Sequence, residues 1–253
     1  MKNTSAFQGV ERLYNENGLK KLARSHVMII GLGGVGSWAA EALIRSGVGK
    51  LSLVDLDDIC VSNINRQIHA STSSLGNMKV LEMKKRLIDI NPRAEINAIE
   101  DFFSAGSMDE ILNCHCDYII DAIDGVKSKA LLISECLKRK IPLVTTGGAG
   151  GKKNPALVQE ADLNRSFNCR LLAQTRKKLK TEYKFSRDKK KRYNVPCIFS
   201  PEQQIFPEPL ACAAGEEIKN LNCQNGFGSS VMVTAVFGLN AAAKVVNDLT
   251  ERS

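Results

Sequence analysis

Four glycines fall within six residues at Gly31-Leu32-Gly33-Gly34-Val35-Gly36, directly after the apolar run His26-Val27-Met28-Ile29-Ile30 and directly before the helix-like stretch SWAAEALIRSG. In a strand–turn–helix context each glycine at 31, 33 and 36 has its own reason: a tight turn, close approach of a ligand to the backbone, and close packing of helix on strand. The helix start also presents free N–H groups and the positive end of its dipole, which favours an anion. Apolar runs recur downstream as LSLVD, EINAI, YIID and PLVTT, separated by segments of helical period. Near-continuous apolar strands with helices between them are buried on both faces, so the sheet is parallel and its crossovers are right-handed. The expected fold is α/β: a Rossmann-like, mostly parallel sheet with helices on both faces and a C-terminal appended segment. Ligands then sit at the carboxyl ends of the strands.

After Thr146 the pattern changes to Gly147-Gly148-Ala149-Gly150-Gly151, a short strand candidate around Leu157 to Glu160, and a basic stretch expected to be rich in loop with one helix near Leu171. Residues 170–192 hold eleven Lys or Arg against Glu182 and Asp188, whereas the rest of the chain is almost neutral, so the net charge of +8 lies in one insert. A local excess of this kind suits contact with a polyanion. The closing apolar stretch, Ser229 to Val246, contains Asn240 and Lys244 and reads better as a helix packed on the sheet than as a membrane span. A chain of 253 residues can bury one large core, and a single domain over 1–253 is expected. The first residues carry charges and no apolar leader run, and the eight cysteines are scattered, so reduced thiols and a cytoplasmic protein are expected. No Cys-x-x-Cys pair occurs; Cys114-His115-Cys116 is the nearest approach to a metal spacing.

The strand after the glycine loop ends in Asp55, placed for ribose hydroxyls, which alone fits any adenine nucleotide or dinucleotide. Asp57 and Asp58 follow, then Asn63-Ile64-Asn65-Arg66-Gln67, then Lys79 opening the next helix. A dehydrogenase has no special need for Arg66 and Lys79, whereas a triphosphate needs cations to offset its charge and steady a departing pyrophosphate. ATP is the better ligand. YIIDAID then places Asp121 and Asp124 at a strand end, and Asp124 either holds magnesium (Mg2+) beside the phosphates or caps the helix starting at Val126. Asp121 reads as structural. His69 either touches the nucleotide or caps a turn.

ERLY near the start, GLGGVGSWAAEAL, LVDLDDICVSNINRQ, the Lys79 helix and DAID together resemble the ubiquitin-activating-enzyme-like adenylyltransferases, the ThiF family, over Phe7 to about Gly151. The resemblance implies an ATP-dependent, AMP-forming enzyme in which Gly31, Gly33, Gly34, Gly36, Asp55 and Asp57 bind the nucleotide. It further implies that Asn63, Arg66 and Lys79 hold the phosphates, and that Asp124 lies near the magnesium and the reacting phosphate. Arg12 matches a family arginine that reaches the partner subunit's ATP, which implies a homodimer. The sulfur-carrier activators of this family usually hold zinc on two Cys-x-x-Cys pairs, which are missing here. NRQIHA, IPLVTTGGAGG, DLNRSF, the basic insert and NCQNGFGSSVMVTAVFGLN instead resemble the tRNA threonylcarbamoyladenosine dehydratases.

Such an enzyme adenylates the carboxylate of threonylcarbamoyladenosine beside the tRNA anticodon, and the side chain of the same nucleoside closes on the activated carbonyl with net loss of water. The insert fits an RNA substrate: Arg176, Lys177, Lys178, Lys180, Lys189, Lys190, Lys191 and Arg192 are candidates for phosphate contact, with Tyr183, Phe185 and Tyr193 interleaved for stacking. Cys223 in NCQNGFG is either a buried small hydrophobe or a reactive thiol linked to a cysteine desulfurase and its sulfur-acceptor protein, as the resemblance suggests. The competing readings are an activator of a ubiquitin-like sulfur carrier, a nicotinamide-dependent oxidoreductase and a non-catalytic tRNA-binding module.

Overall fold

A computed structural model describes residues 6–206 and 227–251. The seven expected and unexpected strands are β1 (His26–Ile30), β2 (Lys50–Val54), β3 (Glu95–Ile99), β4 (Tyr118–Asp121), β5 (Leu143–Thr146), β6 (Gln159–Asp162) and β7 (Pro196–Phe199). They form one sheet in the order β3-β2-β1-β4-β5-β7-β6, parallel except for β6, which runs antiparallel to β7. The chain builds outward from β1 to β3, then returns to place β4 on the other side of β1. That reversal opens a crevice beyond the carboxyl ends of β1 and β4, where the glycine loop lies.

Alternation along β1 divides the core between the two faces. Val27 and Ile29 pack with α2 (Gly36–Arg45), α3 (Lys79–Ile90) and α7 (Val231–Glu251), through Leu43, Met83 and Phe237 among others. Met28 and Ile30 pack on the opposite face with α5 (Val126–Arg139) and α6 (Arg170–Glu182), through Leu132, Ile133, Leu172 and Leu179. α7 buries Val233, Phe237, Ala241, Val245 and Leu249, one residue per four, and so lays a single stripe onto the sheet. No helix among the described residues is long and apolar enough to cross a membrane.

α1 (Gln8–Arg24) precedes the first strand and bends at Asn15, whose φ of 59° lies in the left-handed region and whose Oδ1 accepts from Gly18 N at 2.9 Å. α4 (Met108–Leu112) is a short turn of helix before β4. Two expectations need correction, and one strand was not expected. The helix expected near Leu171 is present, but the stretch is less loop-rich than expected: α6 runs for 13 residues because Leu172, Thr175 and Leu179 give it a buried face. The strand near Leu157 begins later, at Gln159, since Pro155 fixes a 3-10 turn first. β7 was not foreseen, because PCIF is too short to show a period and follows the charged run.

Candidate active site

The glycine loop is shaped by its neighbours in space. Gly31 has φ of +93°, and a Cβ there would stand 2.8 Å from the Ala122 carbonyl oxygen; a Cβ on Gly36 would collide with the Gly31 carbonyl at 1.8 Å. The loop therefore lies flat against the segment that leaves β4 and carries Asp124. Gly33 has open space where a side chain would be, so its backbone is available to a ligand. Beside Gly34 runs the stem of Arg66, 3.0 Å from where a Cβ would sit.

Asp55 is buried at the end of β2, with Oδ2 accepting from Leu32 N at 2.6 Å and Oδ1 from Asp57 N at 2.9 Å. An ionised carboxylate has about four acceptor positions, so two remain for hydroxyl donors. Burial raises its pKa, and the nearby Lys79 ammonium opposes that only in part. Lys79, at the start of α3 and almost fully buried, donates to Asp57 Oδ2 at 2.6 Å and stands 3.9 Å from Asp55 Oδ1. Asn63 is buried with its Oδ1 accepting from Cys60 N. The Arg66 guanidinium donates to the Ser62 carbonyl and to Asn65 Oδ1 and is exposed there. Its backbone carbonyl accepts from Trp38 Nε1 at 2.9 Å, while Asn65 Nδ2 holds Ser229 O just before α7. Trp38 and Asn65 thus set the arginine turn against α2 and α7. Both lie inside the motifs quoted from the sequence, but neither was singled out there for this role.

Asp121 and Asp124 separate cleanly. Asp121 is fully buried, paired with the fully buried Lys129 at 2.8 Å and accepting from Thr145 Oγ1 at 2.6 Å; its Oδ1 also takes Ile123 N at 3.1 Å. These bonds fix the turn after β4. Asp124 is exposed and has no hydrogen bond or ion pair among the described residues. The helix-capping alternative is overturned: the N-cap of α5 is Gly125, and no side chain caps it. Of the two alternatives for His69, the turn-capping one is overturned: Ser74 Oγ donates to His69 O, and the imidazole caps nothing among the described residues. His69 is buried, with neither ring nitrogen partnered among the described residues, and burial, with Lys79 adding to it, depresses its pKa to about 4. Gln67 Oε1 and Thr234 Oγ1 are likewise buried without a partner among the described residues.

Arg12 stands apart, exposed on α1 before the Asn15 bend and with no partner among the described residues. Cys223 lies outside the described residues. The six described cysteines are all free, and no group of three possible metal ligands exists among the described residues, which removes the Cys114-His115-Cys116 metal reading. Burial pushes the Cys116 thiol up to about 12.

The basic insert is partly committed to structure. Arg176 donates to Leu163 O and Ser166 Oγ, and Lys178 pairs with Glu182. Lys177, Lys189, Lys190, Lys191 and Arg192 are exposed, and Lys180 half-buried. The expected aromatic stacking surface is corrected: Tyr193 is buried, its hydroxyl donates to Ser186 O, and its ring meets Phe185 edge-on at 4.9 Å. Tyr183 and Phe185 pack against the same core. Beyond β5, Lys152 is buried and its Nζ gathers the carbonyls of Asn168, Ser200 and Glu202, a tie that no pattern in the chain revealed.

Residues 8–252 match the ThiF family model. A tRNA threonylcarbamoyladenosine dehydratase of Haemophilus influenzae is 43% identical over 97% of this chain and 94% of its own. The crystal structure of E. coli tRNA N6-threonylcarbamoyladenosine dehydratase in complex with ATP superposes with a TM-score of 0.87 at 39% identity, covering 96% of this chain and 93% of that one. By contrast, the sulfur carrier protein ThiS adenylyltransferase of E. coli is 32% identical over only 53% of each chain. With the loop, acid and cation constellation in place and relatives matched along nearly the whole length, the chain belongs to the ThiF family, on the branch of its tRNA threonylcarbamoyladenosine dehydratases.

Proposed function

We propose that this protein uses ATP to adenylate the carboxylate of threonylcarbamoyladenosine beside the tRNA anticodon, after which the side chain of that nucleoside closes on the activated carbonyl. AMP and pyrophosphate leave, and the nucleoside loses one water overall. A carboxylate is a poor electrophile at neutral pH; the adenylate supplies a leaving group, and the closing nucleophile is already tethered, so the protein's task is positioning and charge neutralisation. The observation that carries this reading is the continuity of the crevice: the Asp124 turn touches Gly31, Leu32 N binds Asp55, Asp55 faces Lys79, and Gly34 seats Arg66.

In this reading Gly31, Gly33, Gly34 and Gly36 admit the phosphates, and the spare acceptor positions of Asp55 take the ribose hydroxyls. Asp57 presets the Lys79 ammonium, which turns to the phosphates together with Asn63 and Arg66. Asp124 fits magnesium, because an exposed carboxylate without a protein partner suits an ion held largely by phosphate oxygens and water. When bound, magnesium neutralises phosphate charge. Arg12 reaches the other subunit's site in a homodimer, a reading supported by the exposed Met232 and Leu239, which share one face of α7. The whole chain, 1–253, acts as one adenylyltransferase domain whose insert 170–192 grips the tRNA. The free thiols and the tRNA substrate favour the cytoplasm. A link between Cys223 and a cysteine desulfurase with its sulfur acceptor rests on the family resemblance.

The test is direct. The protein is incubated with ATP, magnesium and tRNA carrying threonylcarbamoyladenosine, the RNA is digested to nucleosides, and a product lighter by one water is sought together with AMP. Pyrophosphate release that requires a ubiquitin-like carrier protein and ignores the tRNA would replace this reading with the carrier-activating one.

A further inference from the structure

The face of α6 turned away from the sheet borders a cavity of about 550 Å³ lined by Asn164, Phe167, Arg176, Lys177, Lys180 and Lys189 among others. No carboxylate lines it, and among the described residues Lys177, Lys180 and Lys189 form no ion pair. Charge runs are usually solvated faces, but this one is held in place. Asn164 Nδ2 donates to Asp188 O at 3.0 Å and Lys191 O at 2.8 Å, while the Asp162 carboxylate takes the N–H groups of Asn164, Tyr193 and Asn194. Both ends of the lysine turn are therefore fastened to the end of β6. Arg176 is oriented by its bonds to Leu163 O and Ser166 Oγ. Cations are thus gathered without a counter-charge; burial, Arg176 and Lys189 all lower the Lys180 pKa. A bound anion relieves that repulsion.

The same cavity has an aromatic wall. Phe167 is 51% exposed and lines the cavity, while its edge contact with the fully buried Phe199 at 5.5 Å fixes the ring's position. This supplies the stacking surface that Tyr183, Phe185 and Tyr193 do not. A second cavity of about 410 Å³ adjoins the first, sharing Ala173, and carries Asn168, Gln203, Gln204 and the exposed Phe206. It lies at the start of α6, where Cys169 Sγ accepts from Gly148 N just beyond β5. The two cavities form a track from the carboxyl edge of the sheet along α6.

We infer that the cationic cavity of α6 binds one unpaired nucleotide of the RNA substrate, its phosphate on Lys180 and Lys189 and its base on Phe167. This rests on the proposed tRNA reading and assigns a specific subsite within it. Cations beside an exposed aromatic face are what a single strand needs: the charge tracks the backbone and any base stacks. The volume suits one nucleotide, and the amide-lined cavity next to it receives the neighbouring base.

The full chain is titrated with a labelled, unmodified anticodon stem-loop RNA, without ATP, over a range of salt. K180Q/K189Q is expected to weaken binding at least tenfold and to reduce the salt slope by about 0.7, the share of one phosphate on a single strand. F167L weakens binding roughly fivefold or more with the salt slope unchanged, and F167Y restores it. K138Q, which removes a lysine elsewhere, leaves affinity as it was. A thermal shift with ATP alone, equal in all variants, certifies folding. Unchanged RNA affinity in K180Q/K189Q and F167L overturns the inference, as does a dependence on these residues seen only for an acidic carrier protein or polyglutamate. Binding is read without turnover, so a protein that grips the stem-loop through these residues yet never cyclises the nucleoside defeats the proposed function and leaves the subsite standing.

Discussion

Asp124 and Asp121 sit three residues apart and do opposite things, and solvent decides which. Asp121 is saturated by Lys129, Thr145 and Ile123 N, whereas Asp124 is exposed and has no partner among the described residues. Asp124→Ala is therefore expected to lower turnover by about 10²–10³ while RNA affinity stays near wild type. Single-turnover assays beside filter binding check this, and loss of RNA binding would give Asp124 another role. His69 offers a pH test. Its imidazole sits at about 4 rather than 6.5, so the unfolded chain takes up its proton first as pH falls. The stability tied to the neutral ring is fully present above 6.5 and is lost progressively down to about 4, by roughly 3 kcal/mol. Urea unfolding across that window should fall more steeply for wild type than for His69→Leu; parallel curves would mean that the protonated ring finds a hydrogen-bond acceptor in the folded protein. The glycine loop, Asp55, Arg66, Lys79 and Asp124 were legible because each belongs to a motif that chemistry requires at that spacing. Trp38, Asn65 and Lys152 were not, because their partners are backbone carbonyls brought near only by folding.

At the scale of elements, α7 and α2 approach so closely that Gly238 has no room for a side chain: a Cβ would stand 2.4 Å from Val35 O and 2.9 Å from Ala39 N. In an isolated helix Gly→Ala is favourable by about 1 kcal/mol. Here backbone blocks the methyl group, and Gly238→Ala is expected to destabilise by about 1–3 kcal/mol. Because Val35 belongs to the glycine loop, ATP affinity should fall with it; a raised melting temperature would show that the helices can part freely. The central strands could be read from composition, since β1, β2 and β4 are apolar on both faces. β6 and β7 could not. Gln159–Asp162 is polar at an edge, and both strands owe their existence to pairing across a long loop containing α6. The same loop misled the aromatic assignment: residues interleaved with lysines in the chain were drawn into the core, and Phe167, outside the insert, was left facing solvent.

At the scale of the whole molecule, the proposed role of Arg12 requires it to reach a site that it does not touch within its own chain. Within one chain, Arg12 lies on α1 before the bend, and the crevice is built from the loops after β1, β2 and β4. Leu13, beside it, is 75% exposed, and Met232 and Leu239 are 65% and 45% exposed on α7, which packs against α1 through Tyr14 and Lys21. Apolar surface on two adjoining helices is the surface a two-fold interface would cover, and such an interface repeats the same patch on both subunits. If Arg12 acts across it, Arg12→Ala and Asp124→Ala each inactivate the protein as homodimers, yet fail at different sites. A mixed dimer then holds one site with Asp124 from one subunit and Arg12 from the other, and one site with neither. After subunit exchange at equal concentrations, about a quarter of wild-type sites should be intact. Mixing the two inactive proteins and following AMP formation therefore reads the geometry directly: recovery toward that level places Arg12 in trans, continued silence after demonstrated exchange places it in its own subunit's site, and an active Arg12→Ala homodimer places it outside catalysis.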